Sequence, residues 1–111
     1  MKQALVAKLR QPRPVAFTPD EAAFLVETLR QAVATTLELS AAGVSDDARV
    51  FDALGMDSVD VFDVLDQMGE TFEMQVALEE LPESFLRGGG ETTFRAFAEG
   101  LLDYFRTPPA E

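Results

Sequence analysis

The sequence predicts an all-α fold, a small helical bundle of three main helices plus a short connecting helix. Apolar residues recur at helical spacing in three segments, good capping residues precede these segments, and no segment alternates like a strand. The 111 residues correspond to one domain, and a hydrophobic content of 47% can form a core without disulfides or metals. We therefore expect one compact domain.

The first main helix begins at Thr18-Pro19-Asp20-Glu21. Threonine is a good N-cap, proline suits the first helical position, and a glutamate three residues after the cap can complete a capping box. Apolar residues follow at helical spacing until about residue 39: Phe24, Leu25, Leu29, Ala32, Val33 and Leu37. Residues 40–47, with a glycine and two adjacent aspartates, predict a loop.

The second main helix is predicted from about Ser58 to Phe72, because Asp57 and Ser58 are good caps and follow the turn-forming Gly55. At about 100° per residue, one helical face is apolar and comprises Val61, Val64, Leu65, Met68 and Phe72. The other face is acidic and comprises Asp60, Asp63, Asp66 and Glu70. Two apolar residues depart from this division. Val59 falls among the acids, which predicts an exposed side chain, and Phe62 falls at the edge of the apolar sector, where it could contact a partner or pack inward.

The last third of the chain predicts the short helix at residues 78–86, which Pro82 interrupts, and a flexible break at Gly88-Gly89-Gly90. The terminal helix follows a cap at Thr92 or Thr93 and has an apolar face of Phe94, Phe97, Ala98, Leu101 and Phe105. We place the domain at residues 18–107 and a tail at 108–111.

Residues 1–17 differ from the rest in charge. They contain four basic residues and no acid, whereas residues 18–111 contain 5 basic and 20 acidic residues. Pro12 and Pro14 break any helix that begins in the segment from Ala4 to Leu9. We expect a basic N-terminal extension that is peripheral to the fold.

The missing residue types narrow the chemistry. Without cysteine or histidine, a structural zinc site, a Ser-His-Asp triad and a Cys-His pair are excluded, which leaves carboxylates, hydroxyls, one tyrosine, lysine and arginine. Paired carboxylates such as Asp57 and Asp60 fall on a predicted exposed face without a pocket, and the acids of this segment lack the spacing of a calcium loop, so we predict no catalytic residue and no metal site. The net charge of -11 repels nucleic acid and anionic membranes and attracts basic protein surfaces. No apolar run is long enough to cross a membrane. We expect a monomeric, cytoplasmic protein with no membrane insertion.

Residues 51–60, Phe-Asp-Ala-Leu-Gly-Met-Asp-Ser-Val-Asp, resemble the phosphopantetheine attachment site of acyl carrier proteins, whose modified serine sits in an Asp-Ser-Leu-type motif. The resemblance includes the upstream aromatic residue and Leu-Gly pair, the acidic amphipathic helix after Ser58, and the spacing of Phe72 and Val76. With the first and terminal helices it covers about residues 18–106. On these residues the chain is identified as a member of the acyl carrier protein family.

The resemblance implies that Ser58 carries 4′-phosphopantetheine, which a phosphopantetheinyl transferase moves from coenzyme A with magnesium assistance, and that Asp57 lies near that metal. The thiol of the arm would carry acyl groups as thioesters between enzymes of fatty-acid, polyketide or related biosynthesis. The implied partners are the transferase and acyl-loading, ketosynthase-type or acyltransferase-type enzymes. The implied docking residues are Val59, Asp60, Phe62, Asp63, Asp66 and Glu70. For Phe62 two other roles stay open, since it could instead line the space that receives an acyl chain or pack inward.

Two departures from the family pattern put the choice of partner in doubt. Asp66 stands where many members have an apolar residue that helps docking, and Gly69 is expected to weaken the helix by about 1 kcal/mol relative to alanine. Two alternatives stay open. A peptidyl or aminoacyl carrier, such as a D-alanyl carrier, usually has a Gly-Gly pair before the serine and a less acidic helix. An acidic helical adaptor without a prosthetic group would use Ser58 only as a cap.

Overall fold

The computed structural model describes residues 1–74 and 91–107. Within them lie the helices α1 (Lys2–Leu9), α2 (Pro19–Leu37), α3 (Ser58–Phe72) and α4 (Phe94–Arg106), and a 3₁₀ turn at Ala41–Gly43. The described residues form no strand, and one isolated antiparallel bridge joins Arg49 to Thr93. The all-α prediction is confirmed. The predicted helix at 78–86, the glycines at 88–90 and the tail at 108–111 lie outside the described residues.

The start of α2 is the predicted capping box. Thr18 Oγ1 accepts a hydrogen bond from the Glu21 N–H at 3.2 Å, and Glu21 Oε1 accepts one from the Thr18 N–H at 2.8 Å. The helix ends at Leu37, because Glu38 adopts a left-handed conformation with φ of 58°. This end lies two residues before the predicted limit.

The helices bury the apolar faces that their periodicity predicts. On α3 the buried residues are Val61, Val64, Leu65, Met68 and Phe72, and on α4 they are Phe94, Phe97, Ala98, Leu101, Leu102 and Phe105. The α2–α3 pair is joined by an edge-to-face contact between Phe24 and Phe72, at 6.3 Å between ring centroids. Beside it, Gln67 Nε2 donates to Thr36 Oγ1 at 2.6 Å. In the part of the chain that the structure describes, no helix has both the length and the apolarity to cross a bilayer.

The expectation that residues 1–17 are peripheral to the fold is wrong. Leu5, Leu9 and Val15 are buried in the common core, and the Val15 N–H donates to the Phe105 carbonyl at 2.7 Å. The expectation was drawn from the basic charge and the prolines of this segment, and it overlooked the spacing of its leucines. Leu5 and Leu9 lie about one helical turn apart, on the same face of α1. Beyond Pro12 the chain runs along α4, and the N-terminal segment therefore contacts three helices of the bundle.

Two basic residues of this segment hold it in place. Lys8 Nζ donates to Glu21 Oε1 at 2.5 Å and to the Ala16 carbonyl at 3.0 Å. The hydrogen bond from Lys8, together with the one from the Thr18 N–H, lowers the pKa of the Glu21 carboxyl. Arg13 lies over the Tyr104 ring at 4.1 Å and donates to its backbone carbonyl at 3.0 Å.

Candidate functional site

The loop before α3 is anchored from both sides. Met56 is buried and its N–H donates to the Val50 carbonyl at 2.9 Å, while the Val50 N–H donates to the Thr92 carbonyl at 3.1 Å. Between these anchors Gly55 has a φ of +79°, a left-handed conformation that glycine adopts without strain. Backbone hydrogen bonds therefore hold the residues just before α3 against the residues just before α4.

Arg30 ties the same loop to α2, which the sequence analysis missed. Its guanidinium donates to the Val44 carbonyl and to Asp46 Oδ1, the latter at 2.5 Å, and lies 4.6 Å from the centre of the Phe94 ring. The hydrogen bond between the Arg30 guanidinium and the Asp46 carboxylate lowers the pKa of Asp46 and raises the pKa of Arg30. A signal was present, since Arg30 is the one basic residue of α2.

Ser58 is the first residue of α3, and Asp57 is its N-cap. Asp57 Oδ1 accepts from the Asp60 N–H at 3.0 Å, and Asp60 Oδ2 accepts from the Asp57 N–H at 3.1 Å. The sequence left either Asp57 or Ser58 as the cap, and this reciprocal capping box assigns the role to Asp57. The Ser58 side chain, which is exposed, is therefore not needed to cap the helix.

The first turn of α3 favours a bound anion. Its first intrahelical hydrogen bond runs from the Val61 N–H to the Asp57 carbonyl at 3.0 Å. The N–H groups of Ser58 and Val59 precede it and have no intrahelical acceptor, and the positive end of the helix dipole lies here. A phosphodiester on Ser58 would stand beside these groups, so the residues present fit a phosphate-linked prosthetic group.

The outward face of α3 carries acidic charge that no ion pair within the described residues offsets. Asp63, Asp66 and Glu70 are exposed, and within residues 1–74 and 91–107 no basic side chain forms an ion pair with them. Six described basic residues form ion pairs with other acids: Lys8 with Glu21, Arg10 with Glu73, Arg30 with Asp46, Arg49 with Asp52, Arg95 with Asp47 and Arg106 with Asp103. The negative charges of Asp63, Asp66 and Glu70 therefore project an outward field that no ion pair within the described residues neutralises.

Two large apolar side chains are exposed beside this charge. Val59 is 62% exposed, as the helical angles predict, and Phe62 is 40% exposed. The sequence left three roles open for Phe62, namely partner contact, lining the space that receives an acyl chain, and inward packing. The structure places it outside the core. The two side chains follow Ser58 within one turn of the helix, and together with the acids they form an apolar patch bordered by negative charge.

Asp57, the predicted neighbour of the transferase metal, is also exposed. Its Oδ1 atom is engaged in the capping box. Within the described residues no group of three or more acidic side chains is arranged to hold a metal ion.

Comparison with known proteins identifies the family of the chain independently of these contacts. The family described as "Phosphopantetheine attachment site" matches residues 27–84, slightly more than half of the chain, and the matched range contains Ser58 and all of α3. No curated protein and no solved structure gives a significant match.

Proposed function

Because the chain belongs to the phosphopantetheine attachment-site family, we propose that Ser58 is the residue that bears its 4′-phosphopantetheine arm. The chain is a carrier domain, and the domains of this family are generally non-catalytic. The observation that carries the assignment is the exposed position of Ser58 at the start of α3, where a neighbouring residue does the capping. The other serines of the described residues, Ser40 and Ser45, lie in the loop after α2.

The arm would carry acyl groups as thioesters between enzymes of fatty-acid, polyketide or related biosynthesis. The acidic face of α3 supports the acyl class, because one carrier has to be recognised by several enzymes through basic patches on their surfaces. Asp63, Asp66 and Glu70 would steer these partners towards Ser58. Val59 and Phe62 would then give up their exposed apolar area on contact, which adds affinity that does not depend on salt.

A phosphopantetheinyl transferase has to recognise the same end of α3. Asp57 would lie near its magnesium ion, since it precedes Ser58 directly and its carboxylate is exposed. The acids of α3 would speed the encounter through their long-range field, and this contribution should weaken as salt is added.

Mass spectrometry after treatment with coenzyme A and a broad-specificity transferase tests the attachment site. We expect one arm on the peptide that contains Ser58, no modification of Ser58→Ala, and full modification of Ser40→Ala and Ser45→Ala. Modification of Ser58→Ala would show that the arm is attached elsewhere. This assay also excludes the adaptor without a prosthetic group if wild-type protein is modified.

A loading assay on the modified protein separates the carrier classes. We expect acyl groups to be transferred to the arm by an acyltransferase or acyl-loading ligase. Efficient loading by an amino-acid-adenylating enzyme, with no acyl loading, would assign the chain to the aminoacyl or peptidyl carriers instead.

A further inference from the structure

The carboxylate of Asp60 is engaged differently from those of the other acids on α3. Its Oδ2 atom accepts the hydrogen bond from the Asp57 N–H at 3.1 Å, and its own N–H donates to Asp57 Oδ1 at 3.0 Å. These two hydrogen bonds close a loop of backbone that contains Ser58 and Val59. Asp60 is thus the residue that connects the capping aspartate to the first turn of the helix.

Asp60 also lies away from the centre of the acidic face. At about 100° per residue, it is roughly 60° from Asp63, 80° from Glu70 and 120° from Asp66 around the helix axis. Asp60 is half-buried, whereas the other three are exposed. Its charge is both turned from the outward face and bonded to the backbone, which makes it the least available of the four to a partner.

We propose that Asp60 is a positioning residue for the modification of Ser58, acting through the backbone of Asp57, and is not a docking charge. This inference rests on the proposed attachment of the arm to Ser58. In that reaction Ser58 Oγ forms a bond to the pantetheine-linked phosphorus of coenzyme A. The bond from this phosphorus to the nucleotide phosphate breaks, adenosine 3′,5′-bisphosphate leaves, and the hydroxyl proton passes to a base of the transferase or to water.

The reason lies in the position of Ser58 at a helix end. Helix termini open more readily than any other part of a helix, and the first turn of α3 is the segment that carries the nucleophile. The upstream loop is fixed at Met56, and the capping box fixes the downstream side at Asp60. When the hydrogen bond from Asp57 is lost, Ser58 spends more time outside the helical geometry, and fewer encounters with the transferase lead to transfer.

Three variants separate a hydrogen-bond acceptor from a charge. Asp60→Asn keeps a side-chain oxygen that can accept from the Asp57 N–H and removes the charge. Asp60→Ala removes both, and Asp63→Asn removes a charge that has no backbone partner in the described residues. Steady-state kinetics with a transferase and coenzyme A, repeated at low and high salt, give kcat and KM for each variant.

We expect Asp60→Asn to stay within about twofold of wild type. Asp60→Ala should lower kcat by about fivefold, as the typical value of a lost capping bond predicts, and leave KM and its salt dependence unchanged. Asp63→Asn should raise KM at low salt and leave kcat unchanged. Amide hydrogen exchange, which needs no transferase, should be faster at Asp57 in Asp60→Ala and near wild type in Asp60→Asn.

The positioning role would be overturned if Asp60→Asn raised KM as Asp63→Asn does, since that result identifies a docking charge. It would also be overturned if Asp60→Ala matched wild type in both kcat and exchange at Asp57. The Ser58→Ala protein is run beside these variants. If it is still modified, the proposed attachment site fails, whereas the exchange at Asp57 reports on the capping box in either case.

Discussion

Replacing Leu5 by alanine tests whether the N-terminal helix belongs to the core. Leu5 has no exposed surface and lies on the face of α1 that packs against α2 and α3. Truncating a buried leucine to alanine costs about 2–5 kcal/mol, through the lost transfer energy and the cavity that remains. Because α1 has only two turns and can shift to fill part of the cavity, we expect about 3 kcal/mol.

A loss of this size is a large part of the roughly 5–15 kcal/mol that stabilises a domain. At about 4–8 °C per kcal/mol for a domain of this length, Tm should fall by roughly 12–24 °C. Urea denaturation gives the free energy of unfolding when it is followed by far-ultraviolet circular dichroism. Fluorescence of Tyr104, the one tyrosine of a chain without tryptophan, reports on the N-terminal segment through its contact with Arg13.

The control is Gln3→Ala, on the exposed side of the same helix. Alanine is a good helix former and no contact is lost, so this variant should remain within about 0.5 kcal/mol of wild type. If Leu5→Ala changed stability by no more than Gln3→Ala does, α1 would be peripheral to the fold, as the charge pattern of residues 1–17 had suggested.

Three further outcomes follow from the structure. Met68→Ala should lose about 2–5 kcal/mol because Met68 is fully buried, whereas Val59→Ala should stay within about 0.5 kcal/mol in denaturation and slow modification by the transferase. Asp66→Lys should slow modification at low salt and flatten its salt dependence, and a rate equal to wild type at every salt concentration would contradict electrostatic steering. The pKa of Glu21 is lowered in the folded protein by its hydrogen bond from Lys8, so this contribution to stability is present above the ordinary glutamate value of 4.5 and is lost as pH falls through the lower folded value. Lys8→Met should therefore lose less stability than wild type between neutral pH and about pH 3, as measured by denaturation across that range.

The sequence predicted the features that depend on neighbouring residues. Thr18 and Glu21 lie three residues apart, so their capping box can be recognised without knowledge of the fold. The exposure of Val59 and the burial of Met68 follow from helical angles alone, since both residues lie on one regular helix. The attachment motif around Ser58 was recognisable for the same reason.

The sequence did not predict the contacts between residues that are far apart in the chain. Val15 is buried in the core, and its N–H donates to the carbonyl of Phe105, 90 positions away. Arg30 holds the loop before α3 through Asp46, and neither residue indicates its partner by spacing. Local patterns report which face of a helix is apolar, but they do not report which helix covers it.

Gly69 shows how such a contact reverses an expectation drawn from helix propensity. Alanine at a helix interior is favoured over glycine by about 1 kcal/mol, so the sequence alone predicts that Gly69→Ala stabilises α3. In the structure the chain turns at Glu73, and a Cβ added to Gly69 would lie 2.8 Å from the carbonyl oxygen of Met74. That oxygen belongs to the backbone and cannot rotate away as a side chain would, and forced contacts of this kind cost about 1–3 kcal/mol.

We expect Gly69→Ala to lower the free energy of unfolding by up to about 2 kcal/mol. The matched control is Gly43→Ala, where the new Cβ would meet its nearest neighbour, Ser40 Oγ, at an ordinary 3.8 Å, so stability should be unchanged or slightly higher. A Gly69→Ala protein more stable than wild type in denaturation would mean that the turn at Glu73 does not fold back over α3.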